Sequence, residues 1–367
     1  MPMFEFYPKH WTMSYQFLRL LSEAHYEGGD FHEMHKAGRK IPDGDMEAWW
    51  REWHGLGEEV EKVGDSELKR GHRLTARSAY LRAFNYYRTA EFFLLGDERK
   101  IPTYKICAEQ FEKAAKLFDP PFEQIEVPYE GSSLPGWFIK AKEGKGPAFI
   151  MPGGADSVGE EMYFLGGQEV LARGIHLMLI DGPGQGAALR LRNIFSRHDY
   201  EVPISACVDF LSARPDVDPD NIGLLGCSFG GYYGTRAAGF EHRVKALVIW
   251  GACYNVLDDI YDYYPAIQRQ IQYLTGSKDD ADCREKLEAF NLEGVVEKIR
   301  CPVLITHGAE DKIVRPEAAK RTYEELTVKD KTLHFWTPET LGEHHCQQDN
   351  IPNAVRLKFD WLADHLK

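Results

Sequence analysis

No run of 18 apolar residues occurs in the sequence, so no stretch reads as a membrane span. The start, MPMFEFYPKHWTMSYQFLRLL, lacks the basic residues and apolar stretch of a secretory leader; the expectation is a cytoplasmic protein. There is no CxxC pair. The seven cysteines (Cys107, Cys207, Cys227, Cys253, Cys283, Cys301 and Cys346) are odd in number. Neither a disulfide framework nor a structural zinc site is indicated, and reduced, partly buried thiols are expected. Positive charge is scarce: 44 Lys and Arg stand against 57 Asp and Glu, a net charge of −13. An acidic surface repels phosphate backbones and anionic lipid, which argues against nucleic acid or a membrane as partner. Repeats and low-complexity tracts are missing. What is present is 43% hydrophobic and 28% charged over 367 residues. That is ordinary globular usage, with room for one large domain or two.

The two parts of the chain differ in period. Residues 1 to 118 show helical spacing and no convincing strand. In GHRLTARSAYLRAFNYYRTAEFFLLG, Ala76, Ala79, Ala83, Tyr87, Ala90 and Leu94 recur at three- and four-residue steps, with Gly96 as a stop. TYKICAEQFEKAAKLF sets Ala108, Phe111, Ala115 and Phe118 on one side, and DMEAWWREWHGLGEEVEKV is a third, Trp-rich helix. Asp119-Pro120-Pro121 then forbids continuation, which puts the domain boundary between 118 and 119. From 119 to 367 strands and helices alternate. The β-rich runs are QIEVPYEG, GWFIKAK, PAFIMPGG, IHLMLIDGPG, NIGLLGCSFGG, VKALVIWGACYN, CPVLITHG and KTLHFWTP. Short, continuously apolar runs suit strands buried on both faces, and the alternation predicts an α/β fold with a mostly parallel sheet covered by helices. A polar and aromatic interruption over about 255–300 reads as a lid-like insertion at the sheet edge where such folds bind ligands.

The chemistry concentrates in a few segments. Gly226-Cys227-Ser228-Phe229-Gly230-Gly231 follows one strand and precedes a helix-like stretch. A nucleophilic serine needs a sharp strand-to-helix turn, and flanking glycines permit one. The partners of such a serine follow in the order acid, then histidine. CPVLITHGAEDKIVRP presents Glu310 and Asp311 at a strand end, and KTLHFWTPETLGEHHCQQDN presents His344 and His345. Asp311 and His344 are the preferred pair. The Phe229 amide supplies one oxyanion donor, and Gly154, in the loop after PAFIMPGG, the other. Asp181-Gly182-Pro183-Gly184-Gln185-Gly186 lacks the lysine of a phosphate loop and reads as a strand-end turn. His32-Glu33-Met34-His35 has the wrong spacing for a metalloprotease helix, and Trp49, Trp50 and Trp53 read as helix packing. The acidic stretch Asp258, Asp259, Asp262 reads as a solvated face. Nothing calls for a cofactor or a metal.

These segments resemble the α/β-hydrolase superfamily over about 122–367: the Gly226-x-Ser228-x-Gly230-Gly231 elbow, the Asp181-Gly182-Pro183-Gly184 turn and His307-Gly308-x-x-Asp311. RPDVDPDNIGLLGCSFGG is most similar to the dienelactone hydrolase and prolyl oligopeptidase branch. GGDFHEM (28–34) and GHRLTARSAYLRAFNYYRTAEFFL (71–94) resemble the N-terminal domain of 2,6-dihydroxypseudooxynicotine hydrolases and of fungal polyketide-shortening hydrolases of pigment pathways. In that group Gly342-Glu343-His344 corresponds to the glycine-acid-histidine of the catalytic loop. Pro152 departs from the histidine that many relatives carry before the oxyanion glycines. The resemblance implies a helical cap over residues 1–118, a small acyl or ketone substrate, and hydrolysis of a carbon–carbon bond beside a ketone. Ester or lactone hydrolysis and acyl transfer would use the same residues. A catalytically silent protein that binds a partner is the alternative of another class, and a homodimer is left open.

Overall fold

The computed structural model describes residues 3–155 and 157–367. They form two compact units that divide between Glu123 and Gln124. The boundary lies five residues later than the sequence suggested. The last helix of the first unit ends at Ala115, ahead of the prolines, and Phe122 beyond them turns back to it: its amide donates to the Ala115 carbonyl (3.1 Å) and its ring stacks on Phe118 at 4.0 Å.

The first unit holds helices α1 (Trp11–Glu23), α2 (Phe31–Gly38), α3 (Met46–Lys69), α4 (Arg73–Glu91) and α5 (Lys100–Ala115). Asp30 caps α2 and Asp45 caps α3 through their carboxylates, each accepting from free amides of the first turn. The stripe from Ala76 to Leu94 is buried as its spacing predicts, although α4 ends at Glu91, before Gly96. On α5 the buried face centres on Tyr104, Cys107, Phe111 and Ala114, so Ala108 and Phe118 are only half-buried. Trp49 and Trp53 are fully buried packing residues, and the Trp49 indole donates to the Thr89 carbonyl at 2.7 Å. Several polar groups inside this unit pair with each other. Glu61 accepts from Tyr87 (2.9 Å), Gln110 (2.9 Å) and Lys113 (2.8 Å), and the buried Lys100 and Glu91 pair at 2.6 Å.

The second unit is built on one eight-stranded sheet. Its strands are β1 (Glu123–Tyr129), β2 (Ser132–Ile139), β3 (Gly146–Pro152), β4 (His176–Ile180), β5 (Val217–Cys227), β6 (Val244–Trp250), β7 (Val303–Gly308) and β8 (Lys331–Trp336), in the order β1-β2-β4-β3-β5-β6-β7-β8. All eight fall on the runs read from the sequence. β2 runs antiparallel to β4, and β3 to β8 are mutually parallel. The near-continuous burial of β3, β4, β6 and β7 is what a sheet covered on both faces requires, whereas the edge strand β8 is mostly half-exposed. Helices α6 (Gln168–Ala172), α7 (Gly186–Arg192), α8 (Glu201–Ser212), α9 (Phe229–Phe240), α10 (Gln268–Leu274), α11 (Asp280–Leu287), α12 (Pro316–Glu325) and α13 (Ile351–His365) connect or flank the strands. The interruption between β6 and β7 contains α10, α11 and short irregular turns. The strand order reverses around β3, so the loops after β3 and β5 open at the carboxyl edge beside the switch point, where open α/β sheets bind ligands. All seven cysteines are buried and unpaired by disulfides. Among the described residues no helix is long and apolar enough to cross a membrane.

Candidate active site

Ser228 sits between the end of β5 and the start of α9 with φ 60° and ψ −124°, a conformation rarely adopted outside glycine. The turn is held by backbone. The Ser228 amide donates to the Trp250 carbonyl at 2.8 Å, and the Gly231 amide donates to the Ser228 carbonyl at 2.7 Å. The glycines around it are demanded by close approach. A Cβ on Gly226 would come within 2.6 Å of the Gly230 carbonyl oxygen, one on Gly230 within 2.5 Å of the Gly153 oxygen, and one on Gly231 would strike the Gly251 oxygen.

The structure corrects the choice of histidine. His345 lies beside Ser228: its Nε2 is 2.9 Å from Ser228 Oγ and its Nδ1 is 2.7 Å from Asp311 Oδ2. An ionised carboxylate only accepts, so Nδ1 carries the proton and Nε2 is left to accept from the serine hydroxyl. His344 turns elsewhere, with its Nε2 3.8 Å from Glu343 Oε1. The reason is local geometry. His344 has extended backbone (φ −92°, ψ 175°), and in extended chain neighbouring side chains point to opposite sides. The loop approaches β7 so closely that a Cβ on Gly308 would run into the Glu343 and His344 carbonyl oxygens, and the Glu310 amide donates to the Glu343 carbonyl at 2.8 Å.

Asp311 is buried, whereas Glu310 is exposed. Its Oδ1 accepts from the amides of Ile313 (2.8 Å) and Val314 (2.9 Å), leaving Oδ2 for His345. Burial pushes this carboxyl's pKa up, but His345, His307 and the Val314 amide more than offset that, and it is held below its ordinary value. His307, unremarked as a site residue in the sequence, backs the acid. Its Nδ1 accepts from the Ala252 amide (3.1 Å), which puts its proton on Nε2, 3.2 Å from the Val314 oxygen and 3.5 Å from Asp311 Oδ2. Burial lowers its pKa and keeps it neutral. The Tyr263 hydroxyl donates to the Asp311 carbonyl at 3.0 Å. Of the acidic stretch, Asp258 and Asp262 are exposed as expected. Asp259 is not: it is buried and accepts from the Tyr254 and Asn255 amides (2.9 and 2.8 Å), a structural role.

Gly154 lies directly against the serine; a Cβ there would be 3.0 Å from Ser228 Cβ and 3.4 Å from Oγ. Among the described residues no hydrogen-bond acceptor is found for the Gly154 or the Phe229 amide. The Glu343, His344 and Asp349 ligand-type atoms lie within 4.8 Å of one another, close enough to hold a cation. That cluster is where the histidine expected at the serine is found instead.

Ser228, Asp311 and His345 thus meet on the loops after three parallel strands, β5, β7 and β8. The family model for prolyl oligopeptidases matches residues 168–367, more than half of the chain. The chain belongs to the prolyl oligopeptidase family. Like the rest of that family it is an α/β-hydrolase, and the matched span contains Ser228, Asp311 and His345. Among its relatives, the α/β-hydrolase gkaG of Penicillium citrinum is 36% identical over 94% of this chain and 92% of its own. The 20-hydroxy-prefusarin hydrolase FUS2 of Gibberella moniliformis is 30% identical over 88% of each chain. The crystal structure of 2,6-dihydroxy-pseudo-oxynicotine hydrolase superposes with a TM-score of 0.83 at 29% identity, covering 94% of this chain and 95% of that one. The matches to gkaG and to 2,6-dihydroxy-pseudo-oxynicotine hydrolase reach across both units, so the helical N-terminal region is part of what is shared.

Proposed function

We propose that this hydrolase works through Ser228, His345 and Asp311 and cleaves a carbon–carbon bond beside a ketone in an aromatic or polyketide-type substrate. The observation that carries the proposal is His345 bridging Ser228 Oγ and Asp311 at 2.9 and 2.7 Å. In the proposed sequence His345 Nε2 takes the serine proton as Oγ adds to the ketone carbon. The charge that develops on the ketone oxygen is met by the amides of Phe229 and Gly154. The carbon–carbon bond then breaks, the electron pair leaves as an enolate or stabilised carbanion, and the imidazolium returns its proton to that carbon. Water, deprotonated by the same imidazole, releases the acid from the serine. Asp311, held ionised, steadies the imidazolium throughout.

The preference for a ketone over an ester rests on the resemblance of the helical N-terminal region. It is supported by relatives named as hydrolases of 20-hydroxy-prefusarin and of 2,6-dihydroxy-pseudo-oxynicotine. All three reacting residues come from the unit after Glu123. The test pairs fluorophosphonate labelling with a panel of aryl 1,3-diketones and matched esters. The expected result is labelling of Ser228, diketone cleavage to an acid and a ketone, and turnover at least ~10³-fold lower in Ser228→Ala. Full turnover in Ser228→Ala would overturn the covalent route, and cleavage of the esters alone would overturn the carbon–carbon assignment.

A further inference from the structure

The Asp181–Gly186 turn holds more than a strand end. Gln185 is buried at the cap of α7, and its carboxamide is fully engaged. Nε2 donates to the carbonyl oxygens of Gly153 (2.5 Å) and Gly154 (3.0 Å). Oε1 accepts from the Gly182 amide and from the Tyr200 hydroxyl, both at 3.3 Å. Tyr200 is itself fixed, stacked on Tyr233 at 3.6 Å between ring centres and donating also to the Pro183 carbonyl. Further along, Asp181 accepts from the amides of Gly159 and Ala187, both at 2.7 Å, and the Gly186 amide donates to the Ser157 carbonyl at 2.8 Å. The turn after β4 is thus stitched to the loop after β3, and at the loop's glycines the stitch is one side chain.

A trans peptide is planar, with its C=O and N–H pointing in opposite directions. Holding the Gly153 oxygen therefore fixes where the Gly154 N–H points, and holding the Gly154 oxygen fixes the Ala155 N–H. Both amides must face away from Gln185. The glycine backbone alone would not hold either plane, since glycine turns freely about φ and ψ. We propose that Gln185 is a positioning residue for the oxyanion hole: its carboxamide sets the two peptide planes so that the loop amides face the substrate oxygen at Ser228. This rests on the reading of Ser228 as the nucleophile. Only glutamine suits the role at this position. Glutamate offers no donor and would repel both carbonyls, methionine fills the space without bonding, and asparagine is one methylene short.

The experiment uses the full chain with p-nitrophenyl acetate and an aryl trifluoromethyl ketone, which binds serine as an oxyanion. Gln185→Met and Gln185→Glu are compared with wild type, with Ser228→Ala run in parallel. Loss of one oxyanion donor costs about 10²–10³ in kcat, so loosening it is expected to cost ~30-fold or more. KM should stay within about threefold, and trifluoromethyl ketone affinity should fall by the same factor as kcat, because ground-state binding does not use these amides. Should both variants fail to fold, Tyr200→Phe removes one anchor of Oε1 and keeps the ring; a few-fold loss confined to kcat and trifluoromethyl ketone affinity is then expected. Unchanged kcat, or a loss shared equally by KM, would overturn the positioning role while leaving an inactive Ser228→Ala to uphold the nucleophile. Turnover surviving in Ser228→Ala would instead remove the reading beneath both.

Discussion

The loop that carries Ser228 and the loop that carries His345 are held in opposite ways. The serine turn is backbone against backbone: Gly226, Gly230 and Gly231 each leave no space for a Cβ, and the Ser228 amide is tied to Trp250. It has one possible shape, and that shape costs strain at φ 60°. The histidine loop has bulkier members, with Leu341, Gly342, Cys346 and Gln347 all at positive φ. It meets the end of β7 by backbone, at Gly308 and through the Glu310 amide on the Glu343 carbonyl, and is further placed by side chains, His345 on Asp311 and the Gly342 amide on Asp349 at 3.0 Å. In the proposed mechanism the nucleophile must be aimed once and for all, whereas the base only needs a pivot from which its ring reaches two partners. The serine turn therefore stores its precision in local sterics, and the histidine loop depends on a register set from a distance.

The largest expected effect tests that register directly. His345→Ala should lower kcat by about 10⁴–10⁶, as loss of a base acting in concert with its nucleophile does, whereas His344→Ala should cost less than ~10-fold. Steady-state kinetics of the two variants settle the ranking, and the reverse order would mean that the loop works in a register different from the one described here. A smaller effect is expected from the pivot. Gly308→Ala pushes the Glu343 and His344 carbonyls off β7 and so shifts His345 against Asp311 and Ser228. A displacement of about 1 Å can cost ~10²-fold. The loss should appear in kcat while fluorophosphonate labelling of Ser228 slows and circular dichroism stays native. A fully active Gly308→Ala would show that the loop is placed by its side chains alone.

The same contrast explains what could be read from the sequence. The serine turn was legible because its requirements are local and steric: glycines at fixed offsets between an apolar run and a helix. All eight strands were legible for a similar reason, since continuous burial writes itself as continuous apolarity. Asp311 was preferred to Glu310, and the His307-Gly308-x-x-Asp311 resemblance pointed the same way. The histidine was not: His344 and His345 are adjacent and chemically identical, and only the extended backbone of His344 and the bare surface of Gly308 decide between them. The unit boundary lies later than the prolines suggested because Phe122, beyond them, packs back on Phe118, a contact with no sequence period. Gln185 was hidden by its neighbours, where Gly-Pro-Gly announces a turn and says nothing of a carboxamide that reaches across to Gly153 and Gly154. His307 was quoted only as part of a motif, and a histidine directly before the strand-end Gly308 gives no hint that its Nε2 faces the acid.

The smallest expected effect concerns the loop after β3, the third element at the serine, and its stability rather than its rate. Glu160 is buried where this loop meets Asp181, and one carboxyl oxygen accepts from the Trp137 indole at 3.1 Å. Burial and the facing Asp181 carboxylate raise its pKa from 4.5 to about 7; the Trp137 bond and Arg190 pull the other way and do not prevail. Asp181, with two amides donating to it, is the better placed of the pair to stay ionised. The sign follows. Below pH 4.5 Glu160 is protonated in the folded and unfolded chain alike, and its neutral form fits the site. As pH rises from 4.5 towards 7 the unfolded chain ionises first, so folding loses stability, and above 7 that loss is complete. Glu160→Gln keeps the shape and cannot ionise. It should therefore match wild type at pH 4.5 and exceed it at pH 8 by about 1–3 kcal/mol. In a unit of this size that is a rise in Tm of roughly 2–4 °C per kcal/mol, readable by thermal melts at the two pH values. Equal melting temperatures at pH 8 would mean that Glu160 ionises at no cost, and that the loop beside the serine is less tightly closed around its acids than its hydrogen bonds indicate.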